Sequence, residues 1–387
     1  MYILTIHNKY KIRGGEDESR ESEDSLLLAR GHEVRQIVLD NSVIQVGDGL
    51  RVGIKALWNQ SLYKRVQSEI KTRRPDVVDV HNFFPLVTPS VYYAARSLGV
   101  PVVQTLHNYR LLCPGATFYR NGKVCEDCTR WPVPLPGLIH RCYHQSVTHT
   151  GGVALMTTAH QLIGTWKRKV SLYITVSEFE KAKFVENGFP ASRIFVKPNF
   201  VPEPGTPVYG GNGFLFVGRL AVEKGVATLL KAMTLTALPF RLTIVGEGAL
   251  SADVKAAATR DSRIQYLGRL PQMDVRELMR QASCLVFPSE WYETFGRVAA
   301  EAFACGTPAI AANIGAVAEV VEAGVSGFHF RAGDAEDLAR LMNHVHIKPE
   351  AAAALGKTAR AEFEQRYTAE RNYDMLIEAY QTAIERP

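Results

Sequence analysis

The stretch CLVFPSEWYETFGRVAAEAFACGTPAIAA, residues 284–312, decides the fold class. Cys284–Phe287 is a short apolar run that reads as a buried strand. Arg297–Ala304 reads as a helix, and Ala309–Ala311 as a second strand. Strand, helix and strand in that order make a βαβ unit, and such units build a parallel sheet. In open parallel sheets ligands bind beyond the carboxyl ends of the strands. The connector Pro288–Gly296 is therefore the first place to look for chemistry.

The alternation continues outward on both sides. Upstream in the same half come a strand at Phe214–Val217, a helix at Gly225–Met233, a strand at Arg241–Val245, a helix at Ser251–Thr259, a strand at Ile264–Tyr266 and a helix at Val275–Gln281. The Pro- and Gly-rich segment Val201–Gly213 is the best linker in the chain. Before it, a strand at Tyr2–His7 runs into Gly14-Gly15 and a helix that stops at Gly31. His32–Leu39, Asp76–Val80, Pro101–Leu106, Ser171–Val176 and Ile194–Val196 read as further strands. A basic amphipathic helix is expected over about Leu50–Thr72 and another helix over Pro89–Leu98. Residues 108–150 break the rhythm and read as one long loop, of a length that is usually functional. A last helix, about Ala369–Ile384, places Tyr373, Leu376, Tyr380 and Ala383 on one buried face. The expected organisation is a Rossmann-like domain over 1–200, a second over 201–366, and a helix over 367–387 returning toward the first.

Composition agrees with a folded α/β protein: 387 residues, 46% hydrophobic and 22% charged. No apolar run reaches the roughly 18 residues that a membrane span needs, and MYILTIHNKY lacks the charge pattern of a signal peptide. The expected location is the cytoplasm. Charge is uneven. Residues 1–200 hold 26 Lys and Arg against 17 Asp and Glu, a net +9, and the rest hold 19 against 22, a net −3. The basic half suits an anionic substrate or a peripheral contact with the inner membrane face. No basic cluster interleaved with aromatics points to nucleic acid.

Five groups of residues stand out. Glu293 and Glu301 flank the start of the helix after Pro288–Gly296, whose first N–H groups suit an anion or hydroxyls. If helical throughout, they lie about 12 Å apart, too far to share a proton. Glu301 sits among Ala299, Ala300, Ala302 and Phe303, so its carboxylate needs a partner. Arg219 and Lys224 follow the strand that ends at Gly218, and a guanidinium and an ammonium so placed suit a diphosphate. Both read as polar loop residues whose loss folding hardly notices. Gly14 and Gly15 let backbone approach a phosphate or sugar. His107 lies at the carboxyl end of a strand. Cys113, Cys125, Cys128 and Cys142 could hold a structural zinc. Val245-Gly246-Glu247-Gly248 falls short of a dinucleotide fingerprint, because Ser251 stands where glycine is expected.

Together, Glu293-x7-Glu301, Gly218-Arg219…Lys224-Gly225, Gly14-Gly15 and His107 resemble the retaining glycosyltransferases of family 4, over essentially the whole chain. The resemblance implies the GT-B fold, two Rossmann-like domains facing a central cleft. It implies a nucleotide-sugar donor, with UDP the first guess, and a glycan or lipid-linked glycan acceptor in polysaccharide biosynthesis. Arg219 and Lys224 would neutralise the diphosphate, Glu301 would bind the ribose, and Glu293 with the backbone around Thr294, Phe295, Gly296 and Val298 would hold the sugar. Gly14 and Gly15 would approach the phosphate, His107 would contact the transferred sugar, and catalysis would need no metal. Arg297 departs from the family, which often has an apolar residue there. The alternatives are a sugar-nucleotide epimerase of the same architecture and a sugar-binding protein without activity.

Overall fold

The computed structural model describes residues 1–11, 14–44 and 55–386. The chain divides into two compact units. Unit 1 comprises Met1–Phe118, Cys125–Lys197 and the residues from Asn372 on, and unit 2 comprises Tyr119–Val124 and Pro198–Arg371.

Among the described residues, unit 1 has a six-stranded parallel sheet of β1 (Tyr2–Lys9), β2 (Glu33–Asp40), β3 (Val77–Val80), β4 (Val102–Thr105), β7 (Leu172–Thr175) and β8 (Ile194–Val196). The strand order is β2-β1-β3-β4-β7-β8. A small antiparallel hairpin, β5 (Tyr119–Arg120) with β6 (Lys123–Val124), interrupts the numbering and belongs to unit 2. Every position of β3, β4 and β7 is buried, as expected of a parallel sheet covered on both faces. The chain leaves β1 for β2 on one side and comes back to β3 on the other, so the order reverses between β1 and β3.

Unit 2 repeats the plan with β9 (Phe214–Val217), β10 (Leu242–Val245), β11 (Ile264–Gly268), β12 (Cys284–Phe287), β13 (Ala309–Ala312) and β14 (Gly327–Phe330). Their order is β11-β10-β9-β12-β13-β14, all parallel, with the reversal between β9 and β12. That is the order of dinucleotide-type α/β sheets, whose ligands sit at the reversal.

The helix Ala369–Glu385 places Leu376, Ala379, Tyr380 and Ala383 in one apolar cluster with Ile3, Leu27, Val77, Val103, Leu172 and Ile174 of unit 1. Spacings of three and four residues put those side chains on one stripe.

Two expectations need correction. The expected basic helix is broken: Lys55 is helical, Ala56–Asn59 are not, and the helix Gln60–Thr72 starts after Asn59, which is extended and whose Oδ1 accepts from Leu62 N at 3.1 Å. Part of that expectation, residues 50–54, lies outside the described residues. The expected loop over 108–150 contains the hairpin and a short helix, Leu135–Ile139, and its end opens a further helix, Val147–Leu162. Ser146 Oγ caps that last helix at His149 N, and Val153, Ala154, Thr157 and His160 bury its inner face. Among the described residues no helix is long and apolar enough to cross a membrane.

Candidate active site

The two loops singled out in unit 2 leave the carboxyl ends of β9 and β12, the adjacent strands at the reversal. After β9 the chain passes Gly218 and Arg219, makes a tight turn over Val222–Lys224, and enters the helix Val226–Thr234 through Gly225. Gly225 has φ +67°, and a Cβ there would lie 1.8 Å from the carbonyl oxygen of Pro288, so no other residue fits. Gly246 does the same on the other flank, where a Cβ would lie 1.9 Å from the Gly218 oxygen. These contacts press the loops after β9, β10 and β12 together. Glu290 N donates to Glu223 O at 2.9 Å and Thr228 Oγ1 to Glu290 Oε1 at 2.5 Å.

Lys224 Nζ lies 2.5 Å from Glu293 Oε1, and Ser289 Oγ donates to the same oxygen at 2.8 Å. The lysine side chain is 19% exposed and the glutamate 12%. Burial alone would raise the Glu293 pKa, yet Lys224, Ser289 and Trp291 hold it below the ordinary carboxylate value. The backbone of Glu293 is fixed from a third loop, where Ala316 N donates to its carbonyl at 3.3 Å. Arg219 reaches Glu223 at 2.6 Å and stays largely exposed. The 12 Å separation expected for Glu293 and Glu301 does not apply, because residues 293–296 are not helical and the helix Arg297–Ala304 starts at Gly296. The partner that Glu301 needs is Arg297, whose Nε lies 3.2 Å from Oε1, with Gln272 Nε2 at 3.4 Å. The departure at Arg297 is thus a mostly buried pair one helical turn from Glu301. Phe295, buried, packs edge-on to Tyr367 of unit 2. Thr294 and Val298 flank it, half-buried.

In unit 1, His107 follows β4 and meets His81, which follows β3, edge to edge, with ring planes 16° and ring centroids 5.4 Å apart. Their nitrogens meet, His81 Nδ1 to His107 Nε2 at 3.1 Å. His81 Nε2 lies 3.2 Å from Asp79 Oδ2, which also accepts from Tyr380 Oη at 2.6 Å. Both histidines line a hollow with Asn108 and Arg110. Further in, Lys197 pairs with Glu23 at 2.5 Å and Arg20 with Asp24 at 2.5 Å. Burial, with His81, His7 and Lys197, drives the His107 pKa well below its ordinary value, so His107 is neutral at pH 7. Asn108 Nδ2 lies 3.5 Å from Glu16 Oε2, a carboxyl that burial pushes up to about 7. That contact brings the first helix's start near His107. Gly14 caps this helix in an extended conformation and donates to Asp17 Oδ2 at 3.0 Å. Among the described residues a Cβ on Gly14 or Gly15 would meet nothing within 4 Å, so none of them demands glycine at either position.

Sequence reasoning missed His7, Asp79, His81 and Tyr380. The signal that singled out Glu301, a charged residue in an apolar setting, also marks His7 in β1 and Asp79 in β3. His7 Nε2 lies 2.8 Å from Asp17, while its Nδ1 is buried without a hydrogen-bond partner among the described residues. Burial, with His81 and Arg20, lowers its pKa to about 4 against the Asp17 bond. A histidine depressed in this way stabilises the fold above the unfolded value of about 6.5, and that contribution is lost as pH falls through 4. Denaturant titrations should therefore show wild type losing about 3 kcal/mol over this window that His7→Gln does not lose. Equal losses in both proteins would remove His7 as the cause.

Among the described residues no disulfide joins Cys113, Cys125, Cys128 and Cys142. Burial pushes Cys128 up to about 12, and the three other thiols act in the same direction. They share a neighbourhood, but among the described residues no group of three or more His, Cys, Asp or Glu is placed to hold a metal ion.

Residues 206–362 match the family model described as "Glycosyl transferases group 1", and residues 25–203 match "Glycosyltransferase Family 4". An uncharacterized 42.6 kDa protein in the cps region of Klebsiella pneumoniae is 26% identical over 68% of this chain, which spans 64% of that relative's length. A glycogen synthase of Mycobacterium tuberculosis is 28% identical over 79% of this chain and 67% of its own length. The O-antigen chain mannosyltransferase C of Escherichia coli is 32% identical over 46% of this chain and 48% of its own. In structure, Anabaena HepE in complex with UDP superposes with TM-score 0.70 at 20% identity, over 99% of this chain and all of that one. A glycosyltransferase of Rickettsia africae gives TM-score 0.70 at 18% identity, over 99% of both.

Proposed function

We propose, from the premise that this chain is a GT-B glycosyltransferase, that it moves a hexose from a nucleoside-diphosphate sugar to a glycan or lipid-linked glycan with retention of configuration, in polysaccharide biosynthesis. The observation that carries this reading is the pairing of Lys224 with Glu293 across two loops at the unit 2 sheet reversal. A diphosphate placed there competes for Lys224 and Arg219, and Glu293, released from its lysine, accepts hydrogen bonds from sugar hydroxyls. Glu301, steadied by Arg297, takes the ribose hydroxyls. His107 contacts the transferred sugar, with Gly14 and Gly15 leaving room for close approach. In the transfer, the bond between the anomeric carbon and the diphosphate breaks. The acceptor hydroxyl adds on the same face and passes its proton to the departing phosphate oxygen.

UDP is the first candidate nucleotide, supported by the HepE complexes with UDP and with UDP-glucose. A peripheral contact with the inner membrane face is supported by the cation excess of residues 1–200 and by exposed Trp131, Ile139, Leu162 and Ile163. UDP at about 100 times its dissociation constant should stabilise the protein by about 2.7 kcal/mol, read as a raised melting temperature and by calorimetry. If UDP, GDP, ADP and their sugars all leave the melting temperature unmoved, the reading is wrong.

A further inference from the structure

We propose that His81 is the positioning residue of the unit 1 hollow: gripped by Asp79 at Nε2 and meeting His107 through Nδ1, it decides which nitrogen of His107 carries the proton. The argument needs only the two contacts and a count of protons. With both ring nitrogens protonated, His81 donates from Nε2 to Asp79 and from Nδ1 to His107 Nε2. His107 then accepts at Nε2 and, being neutral, carries its proton on Nδ1. With His81 neutral, its single proton stays on Nε2 facing the Asp79 carboxylate. His81 Nδ1 is then an acceptor, His107 must donate from Nε2, and His107 Nδ1 becomes an acceptor. One proton on His81 thus exchanges donor for acceptor at the other edge of His107.

The surroundings select the first arrangement at neutral pH. Burial alone would lower His81, but Asp79, with Glu23 and Asp24 of the first helix, holds it above its ordinary value. Burial would likewise raise Asp79, yet His81, Tyr380 and Lys197 keep it ionised. The opposing cations are themselves paired, Lys197 with Glu23 and Arg20 with Asp24, and the neighbouring His7 is neutral. Tyr380 Oη reaches Asp79 from the helix Ala369–Glu385 and fixes the oxygen that grips His81. That His107 thereby offers Nδ1–H to a sugar oxygen rests on the function proposed above. The proton count does not.

The test is nitrogen-15 histidine spectroscopy of the full chain, assigned with His81→Gln and His107→Gln. At pH 7, His81 should show two protonated nitrogens and His107 the Nδ1–H tautomer. As pH rises and His81 deprotonates, His107 should convert to the Nε2–H tautomer with the same midpoint. This arm needs no variant, so a misfolded mutant cannot obscure it. In Asp79→Asn the conversion should already be present at pH 7, with kcat lowered about tenfold or more and donor KM held. A wild-type His107 already in the Nε2–H form, or two histidines titrating independently, overturns the proposal. Coupled titration together with undiminished transfer by His107→Gln upholds the positioning and overturns only the contact of His107 with the sugar.

Discussion

Lys224→Ala is expected to lower kcat/KM by about a hundredfold or more and to destabilise the fold by about 3 kcal/mol. The first effect comes from removing a cation placed where a departing diphosphate gathers charge. The second comes from Glu293. Its carboxylate is 12% exposed and holds its charge against burial with the help of Lys224. Removing the lysine leaves that charge with weaker support, chiefly the Ser289 hydroxyl. The sequence reading expected folding hardly to notice the loss of Lys224, and its mostly buried pairing with Glu293 predicts a cost instead. Glu293→Gln in the Lys224→Ala background should return much of the lost stability and none of the lost transfer, because it removes the stranded charge and not the missing cation. Denaturation midpoints and initial rates for the four proteins of the cycle decide the matter. A Lys224→Ala protein as stable as wild type would show that the pair does not form in solution.

Gly225→Ala should be at least as damaging, by another route. The new methyl would sit 1.8 Å from the Pro288 carbonyl oxygen in a backbone region that costs a non-glycine residue of order 1–3 kcal/mol. Backbone cannot rotate away as a side chain can, so one of the two loops must shift. The expected loss exceeds about 4 kcal/mol, and UDP should no longer stabilise whatever remains folded. Gly15→Ala is the control, since its Cβ would meet nothing within 4 Å. Its melting temperature should match wild type, and if Gly225→Ala also matches wild type the close packing of the two loops is refuted.

Sequence patterning carried the fold well where apolar runs were short and bounded by glycine, proline or polar residues. Cys284–Phe287 and Arg297–Ala304 stand as read, because a buried parallel strand and a small-residue helix each leave one pattern. The helix Val147–Leu162 was illegible, since its threonines and paired glycines are poor helix formers and tertiary burial outweighs them. For the site, Lys224 and Glu293 were found by position at strand ends, but their pairing was not, because the two lie 69 residues apart. The Tyr380–Asp79 contact spans 301 residues, a separation that no local pattern records.

That span bears on the order in which the protein is made. Pro198–Arg371, nearly all of unit 2, is one continuous stretch that can fold as soon as it leaves the ribosome. Unit 1 begins first and finishes last. Its β strands emerge early, but the stripe of Leu376, Ala379, Tyr380 and Ala383 arrives only after all of unit 2 has been synthesised. At 5–20 residues per second that delay is roughly ten to thirty seconds. Through it, Ile3, Val77 and Val103 lack their apolar cover, and Asp79 lacks the hydroxyl that completes its pairing. Of the two units, the one started first is the one left longest exposed to aggregation.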